Sequence, residues 1–557
     1  MHTIHFDDKH IVEVPEGSTV LEAARDAGLV LESPCNGAGV CGKCKVRIEA
    51  NDLRNVRFPE NASLPRTDRA QGFVLSCETR VFGNVKVFMP RQEGGGLKIL
   101  EEGLVFEIAR NPNIRKLYNA EKNATQVFGG ETLLCEEAGD TSAEAYGLSM
   151  DIGTTTLVLA LVDLNTGRQL GVISAMNPQA VYAQDVVSRI QFASEPDGLQ
   201  TLHRALAEEI NRMASALAER HAVSTSRVYE AVYSGNTCML HLAAGISPEP
   251  LGKYPYTPVL DGARSLKAAD LGLRLAEAAR VYLPPCISAY VGADISSGIL
   301  AASLFDRKGI TLFVDIGTNG EMVIASDGCL HASSAAAGPA FEGMNIAMGM
   351  RAGAGAVERF AIEDGAIAVK VIGDAEPAGL CGSGLIDAVG ELVAAGVIDP
   401  TGRFAAPDEL PPFLAERLTE YNGKPAFRIA GDVLLSQKDV RQVQLAKGAV
   451  RTGIEYLLRA VGTAAEDVEK VWIAGSFGYH LRAKNLIRIG LLPQAFRGKT
   501  EFAGNTSASG GRAFLLGMQY REEMERRAGE VEVLELSGMD DFEQSFIQSL
   551  NFEPAEI

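Results

Sequence analysis

Leu148-Ser-Met-Asp151-Ile-Gly153-Thr154-Thr155-Thr156 and Leu312-Phe-Val-Asp315-Ile-Gly317-Thr318-Asn319-Gly320-Glu321 are near copies set about 160 residues apart. Each reads as an apolar strand, a tight glycine turn and a second strand. The first runs on through 157–162 to a turn at Asn165-Thr-Gly167, the second through Met322-Val-Ile-Ala to a turn at Asp327-Gly328. A repeat at that scale predicts two related halves. The loop chemistry suits a nucleotide. Glycine lets backbone amides approach phosphate oxygens, and threonine hydroxyls add donors. A carboxylate ending the preceding strand, Asp151 or Asp315, can hold Mg²⁺, usually through water. One such loop could be an ordinary hairpin; two that open related halves are far stronger evidence for a nucleotide.

Composition narrows the field. The chain has 557 residues, 46% hydrophobic and 22% charged, with 58 glycines and one tryptophan. This fits an α/β multidomain protein with glycine-rich loops. A net charge of −19, from 52 basic and 71 acidic side chains, argues against nucleic acid as a partner. No apolar run is long enough to cross a membrane and the first residues lack signal-peptide character, so a cytoplasmic protein is expected. Nine cysteines argue against a disulfide framework. Cys135, Cys238, Cys286, Cys329 and Cys381 are scattered singly and read as small core residues.

The other four belong to one pattern. Ile4, Phe6, Ile11, Val12 and Val14 flank a turn near Asp7-Asp8-Lys9, a hairpin signal. Thr19 and Glu22 are spaced as a capping box, with Gly28 as a helix stop. Cys35-Asn-Gly-Ala-Gly-Val-Cys41-Gly-Lys-Cys44 follows, then strand-like Lys45–Ile48, Cys77 in Phe73-Val-Leu-Ser-Cys-Glu, and a last strand at Val85–Met89. Three thiolates in a loop where Gly37, Gly39 and Gly42 let the backbone wrap, with a fourth from a distant strand, can enclose a [2Fe–2S] cluster. Zinc usually takes two short C-x-x-C pairs, and only one is present. The spacing resembles that of adrenodoxin-like ferredoxins, which implies a β-grasp domain over 1–90. Pro90 to Gly96 reads as a linker, taken over 91–103. Residues 104–146 read as a small connecting segment without assigned chemistry.

Beyond that point the two loops resemble the phosphate-1 and phosphate-2 loops of the acetate kinase, sugar kinase, Hsp70 and actin superfamily. The resemblance implies ribonuclease H-like halves over 147–306 and 307–540, with ATP between them and a tail over 541–557. Sugar kinases of this superfamily carry a catalytic aspartate where Val291-Gly-Ala-Asp294 stands here. Asp294 is therefore expected to orient water towards the γ-phosphate, the alternative being a helix-capping role. Gly379-Leu-Cys-Gly382-Ser383-Gly384 looks like a connecting or nucleotide-facing turn. Val471-Trp-Ile-Ala-Gly475-Ser476-Phe477-Gly478 resembles the adenosine motif, and Gly504-Asn505-Thr506-Ser507 begins a helix closing the second half.

The fusion of both parts resembles the reductive activators of corrinoid enzymes. The likeness is carried by Asn177-Pro178-Gln179 through Asp185-Val-Val-Ser-Arg189, Gly235-Asn236-Thr237, Ala337-Gly338-Pro339-Ala-Phe341-Glu342-Gly343 and Ser436-Gln437-Lys-Asp439. It implies ATP-dependent, one-electron reduction of Co(II) to Co(I) in the corrinoid protein of a methyltransferase system. It also implies a low-potential donor of flavodoxin or ferredoxin type, and leaves a homodimer open. Two departures stand out: the middle segment looks short, and no cysteine follows Cys381, so the C-terminal [4Fe–4S] ligands of methanogen-type activators are missing. A cluster of this type lies near −400 mV. An uphill step of roughly 100–200 mV needs about 2–5 kcal/mol, which nucleotide-dependent differential binding can supply. A sugar or acyl kinase with a regulatory cluster, a redox sensor and a radical-dehydratase activator are the competing readings.

Overall fold

The computed structural model describes residues 1–553 apart from 8–9, 32, 34, 36, 40, 60–63, 65, 90–102, 105, 318, 364 and 476–480. Both halves share one strand order. In the first, Gln169–Met176, Thr156–Asp163 and Tyr146–Ile152 form an antiparallel meander, and Val228–Gly235 then Arg280–Leu283 add in parallel, with Arg264–Lys267 at the edge. In the second, Cys329–Ala335, Gly320–Ser326 and Ile310–Ile316 make the same meander, and Lys470–Ala474 then Thr500–Gly504 add in parallel. This is the ribonuclease H-like arrangement expected of the repeat. The hairpin registers differ by one residue in the turn: Asp151 stands opposite Val158, seven residues on, and beside Ser234, and Asp315 opposite Glu321, six residues on, and beside Ala474.

These central strands are continuous apolar runs because helices cover their faces. Helix Gly198–Arg220 buries Leu202, Leu206, Ile210, Met213 and Leu217, a stripe at helical spacing, against the first sheet. Helix Gln437–Ala460 does the same for the second. Where the halves join, helices Ala293–Ala301 and Thr506–Leu516 touch backbone to backbone. A Cβ on Gly510 would sit 2.1 Å from the Ser297 carbonyl oxygen, so only glycine permits the crossing.

At the N-terminus His10–Val14, His2–Phe6, Val85–Phe88, Lys45–Ile48 and Phe73–Leu75 form a five-stranded mixed sheet, in that order, packed on helix Val20–Asp26. The capping box is present: Thr19 Oγ1 accepts from the Glu22 amide at 3.1 Å and Glu22 Oε2 from the Thr19 amide at 2.7 Å. This domain is seated on the rest of the chain. The buried Gln184 side chain accepts from the Ser33 amide at 2.9 Å and donates to the Leu31 carbonyl at 2.7 Å. Lys43 Nζ reaches the carbonyls of Ala347 and Gly349 at 3.5 and 3.3 Å.

Three expectations change. The connecting segment contains an antiparallel sheet of Ile114–Asn119, Ala124–Gly129 and Thr132–Ala138. It is pinned to the first half by Lys116, whose Nζ donates to Glu137 at 2.8 Å and to the Tyr229 hydroxyl at 3.0 Å. The C-terminal stretch is no free tail: helix Phe542–Gln548 packs on Gln437–Ala460, Phe552 is buried, and Gln444 donates to the Leu550 carbonyl. Of the five scattered cysteines, Cys238 and Cys381 are buried and Cys135 and Cys286 partly so. Cys329 is exposed, because it opens an edge turn after Asp327-Gly328. The linker residues 91–102 lie outside the described residues.

Candidate functional site

The four clustered cysteines come together as two pairs. Cys35 and Cys41 interact through their side chains, and so do Cys44 and Cys77, with Cys77 also within electrostatic reach of Cys35. The loop turns through left-handed backbone at Gly37, Gly39 and Gly42 (φ +91°, +73° and +70°), which side chains rarely adopt. The Cys77 thiol donates to Cys44 and pushes it down to about 6, helped by the nearby Ser76 hydroxyl; burial pushes Cys41 up to about 11. One member of the inner pair therefore ionises easily, which thiolate ligation requires. Among the described residues no three His, Cys, Asp or Glu side chains are placed to chelate a single ion. Two separated thiol pairs suit a dinuclear cluster with two thiolates per iron.

The cleft between the halves is acidic. Asp151 ends its strand with Oδ2 accepting from Asn505 Nδ2 at 2.8 Å and Oδ1 from the Ser507 hydroxyl at 2.7 Å, so helix Thr506–Leu516 of the second half caps a carboxylate of the first. Asp294 lies in the first turn of Ala293–Ala301, where Gly292 is the N-cap; its Oδ1 accepts from its neighbour's amide, Ile295 N, at 2.9 Å. Burial pushes Asp294 up to about 7, with the Asp151 charge adding to it. Burial likewise pushes Asp315 up to about 8, with Asp294 and Asp151 adding. Glu321, opposite Asp315 in the register, is raised well above its ordinary value for the same reasons. Among the described residues no lysine or arginine is paired with any of the four. Carboxylates crowded in this way are what a divalent cation relieves. Among the described residues no three of these side chains converge on one point, a spacing compatible with Mg²⁺ held through its water shell.

The first phosphate loop is braced from behind. Gly153 N donates to the Thr156 carbonyl at 2.9 Å, Asn177 Nδ2 to the Gly153 carbonyl at 2.8 Å, and Asn236 Nδ2 to Thr154 Oγ1 at 3.1 Å. Arg189, wholly buried, donates Nη2 to the Thr154 carbonyl at 2.6 Å. The Thr155 hydroxyl donates across the cleft to Glu342 Oε2 at 2.6 Å. In the second loop Gly317 N donates to the Asn319 carbonyl at 3.0 Å, and Gly320 packs under Val450. Gly475 (φ +109°) has no room for a side chain: a Cβ there would lie 2.4 Å from the Ile316 carbonyl and 2.9 Å from Asp315 Oδ1. This brings the adenosine-motif turn to the second phosphate strand. Thr318, Ser476, Phe477 and Gly478 lie outside the described residues. Gly382, Ser383 and Gly384 open helix Gly382–Ala394, and their contacts are packing contacts: Ser383 donates to the Glu358 carbonyl, and Gly384 abuts the Val357 carbonyl. Asn177, Arg189, Asn236, Glu342, Asn505 and Ser507 had no role assigned from the sequence. The signal available was a lone arginine or carboxylate inside otherwise small or apolar segments.

Comparison with known proteins covers nearly the whole chain. A family model for the 2Fe-2S iron-sulfur cluster binding domain matches residues 4–82, one for the RACo middle region 146–307, and one for the C-terminal domain of RACo, the ASKHA domain, 309–557. The corrinoid activation enzyme RamQ of Eubacterium limosum is 30% identical over 560 residues, covering 91% of each chain. The [Co(II) methylated amine-specific corrinoid protein] reductase of Methanosarcina barkeri is 26% identical over 402 residues, 67% of this chain and 70% of that one. A solved structure of a reductive activator for corrinoid, iron-sulfur protein superposes with a TM-score of 0.73 at 30% identity, covering 100% of this chain and 99% of that one.

Proposed function

Because the chain belongs to the family of corrinoid activation enzymes, we propose that it reduces the inactive Co(II) form of a corrinoid protein to Co(I), one electron at a time, in a cycle that hydrolyses ATP. The observation that carries this reading is that one chain seats a loop of paired thiols on both walls of an acidic nucleotide cleft. A [2Fe–2S] cluster held by Cys35, Cys41, Cys44 and Cys77 would supply the single electron, and the corrinoid substrate takes it up at cobalt. The remaining roles are assigned to the loops and carboxylates of the cleft. Gly153 to Thr156 and Gly317 to Glu321 offer amides and hydroxyls to the phosphates from opposite walls. In this reading Asp151 and Asp315 organise Mg²⁺ through water, Asp294 orients the attacking water, and the motif that begins at Gly475 binds the adenosine. The acceptor is read as the corrinoid protein of a methyltransferase system, the upstream donor as a flavodoxin or ferredoxin, and the compartment as the cytoplasm; a homodimer fits equally well.

The test is anaerobic absorbance spectroscopy of a purified Co(II) corrinoid protein with the reduced, cluster-loaded chain. Co(I) should accumulate with Mg-ATP and stay at background without it. Equal Co(I) formation in both arms would overturn the ATP dependence. No Co(I) with any corrinoid protein, together with phosphoryl transfer to a small acceptor, would favour a kinase.

A further inference from the structure

Two arms connect the first phosphate loop to the cluster loop. One begins at the Thr154 carbonyl, held by Arg189, and runs one helical turn back along Val186–Ala193 to Gln184, which clamps Leu31 and Ser33. The other begins at the Thr155 hydroxyl, held by Glu342 of the opposite half. From Glu342 the chain folds into a tight knuckle. Gly343 turns at φ +76°, and a Cβ on Gly349 would lie 2.0 Å from the Gly343 carbonyl, so residues 343–350 are closely packed on one another; the Ala347 amide donates to Asp439 at 2.7 Å and Met348 and Met350 pair with Leu380. The Ala347 and Gly349 carbonyls of that knuckle receive Lys43, which sits between Cys41 and Cys44. Gln184 makes bonds of 2.7 and 2.9 Å, while Lys43 makes bonds of 3.3 and 3.5 Å, near the limit of useful geometry.

A hydroxyl has one proton to donate. The Thr155 proton goes to a carboxylate, in a loop whose nucleotide-binding role rests on the function proposed above, and a nucleotide phosphate would compete for it as a second anion. We infer that Glu342 is a nucleotide-sensing positioning residue: its carboxylate stands in for a phosphate at Thr155, and its displacement by nucleotide shifts the knuckle and releases the cluster loop at Lys43 while Gln184 keeps hold. The cluster loop thereby stays tethered to the first half and is freed from the second when nucleotide arrives.

Hydrogen–deuterium exchange on the cluster-loaded full chain, kept anaerobic, with and without the Mg²⁺ complex of a non-hydrolysable ATP analogue, tests this. In the wild type the analogue should speed exchange about five- to tenfold in peptides covering 343–350 and 41–46, the loss of roughly one hydrogen bond's protection, and leave 29–33 unchanged. Glu342→Ala should exchange fast at 343–350 without nucleotide, show no further response, and bind the analogue more tightly by calorimetry. Glu342→Gln, which keeps an acceptor but removes the competing charge, should show wild-type exchange without nucleotide and respond at lower analogue concentration. Calorimetric binding with unmoved exchange in the wild type, or wild-type affinity and response in Glu342→Ala, would overturn the inference. Absence of any nucleotide binding would instead overturn the proposed function, and the inference with it.

Discussion

Replacing Asp315 with asparagine should make the nucleotide-free protein more stable and destroy its use of nucleotide. Asp315 is half-buried beside Asp294, Asp151 and Glu321, and loss of hydration pushes it up to about 8 from an ordinary value near 4. A carboxyl whose folded pKa is raised holds its proton better folded than unfolded, so stability falls as pH climbs from about 4 and levels off above 8. At about 1.4 kcal/mol per pH unit, the ceiling on this cost is about 5 kcal/mol at pH 8 and about 2 kcal/mol at pH 5.5. Asparagine removes it but buries amide hydrogens at a cost of about 1–3 kcal/mol. The net gain should therefore be on the order of 2–4 kcal/mol at pH 8 and close to zero at pH 5.5. The sole tryptophan, Trp472, lies on the strand paired with Ile310–Ile316, so its fluorescence in a urea titration reports the half concerned. Mg-nucleotide should raise the midpoint of the wild type and leave Asp315→Asn unmoved. A variant less stable than wild type at pH 8, or shifted equally at both pH values, would show that the carboxylate cluster carries no strain.

Further outcomes follow from the same geometry. Iron and sulfide analysis should give about two of each per chain; a double variant Cys41→Ala with Cys77→Ala breaks both thiol pairs and should lose the cluster, and its retention would sink the ligand assignment. Phe552→Ala removes a ring buried beside helix Gln437–Ala460 and should lower stability by about 3–5 kcal/mol by urea titration, whereas a free tail would show no change. Cleaving the chain within 91–103 should leave both fragments folded yet slow Co(I) formation at dilute concentration, since tethering supplies a local concentration of about millimolar; an unlinked mixture as fast as intact protein would refute tethered delivery.

What the sequence disclosed was local. The capping box at Thr19 and Glu22, the glycine turns after Asp151 and Asp315, and the cysteine spacing are patterns within ten residues or so, and each is found as read. The contacts that turn those pieces into a site join residues far apart in the chain. Thr155 meets Glu342, Asp151 meets Asn505, and Ser33 meets Gln184, and no periodicity records such pairings. The sheet of 114–138 was hard to read because its outer strand, Thr132–Ala138, has no buried residue and so no alternation. Gly382, Ser383 and Gly384 read as a connecting or nucleotide-facing turn, and nothing in the sequence signalled that Gly384 also lies against the backbone of another strand.

The shared strand order of the two halves carries a last consequence, for how the chain can drift. Opposite Asp151 the partner strand has Val158; at the corresponding place opposite Asp315 it has Glu321. On this strand pair the first wall therefore presents a single acid and the second two, while the first wall's other acid, Asp294, comes from helix Ala293–Ala301. Position 158 answers only to packing, and any β-branched side chain of similar volume satisfies it. Position 321 answers to packing and charge together, which leaves few substitutes. Two copies of one architecture are accordingly under unequal restraint, and a hybrid made of two first halves would carry Asp151 and Asp294 in both walls while losing the strand-paired acid that Glu321 supplies.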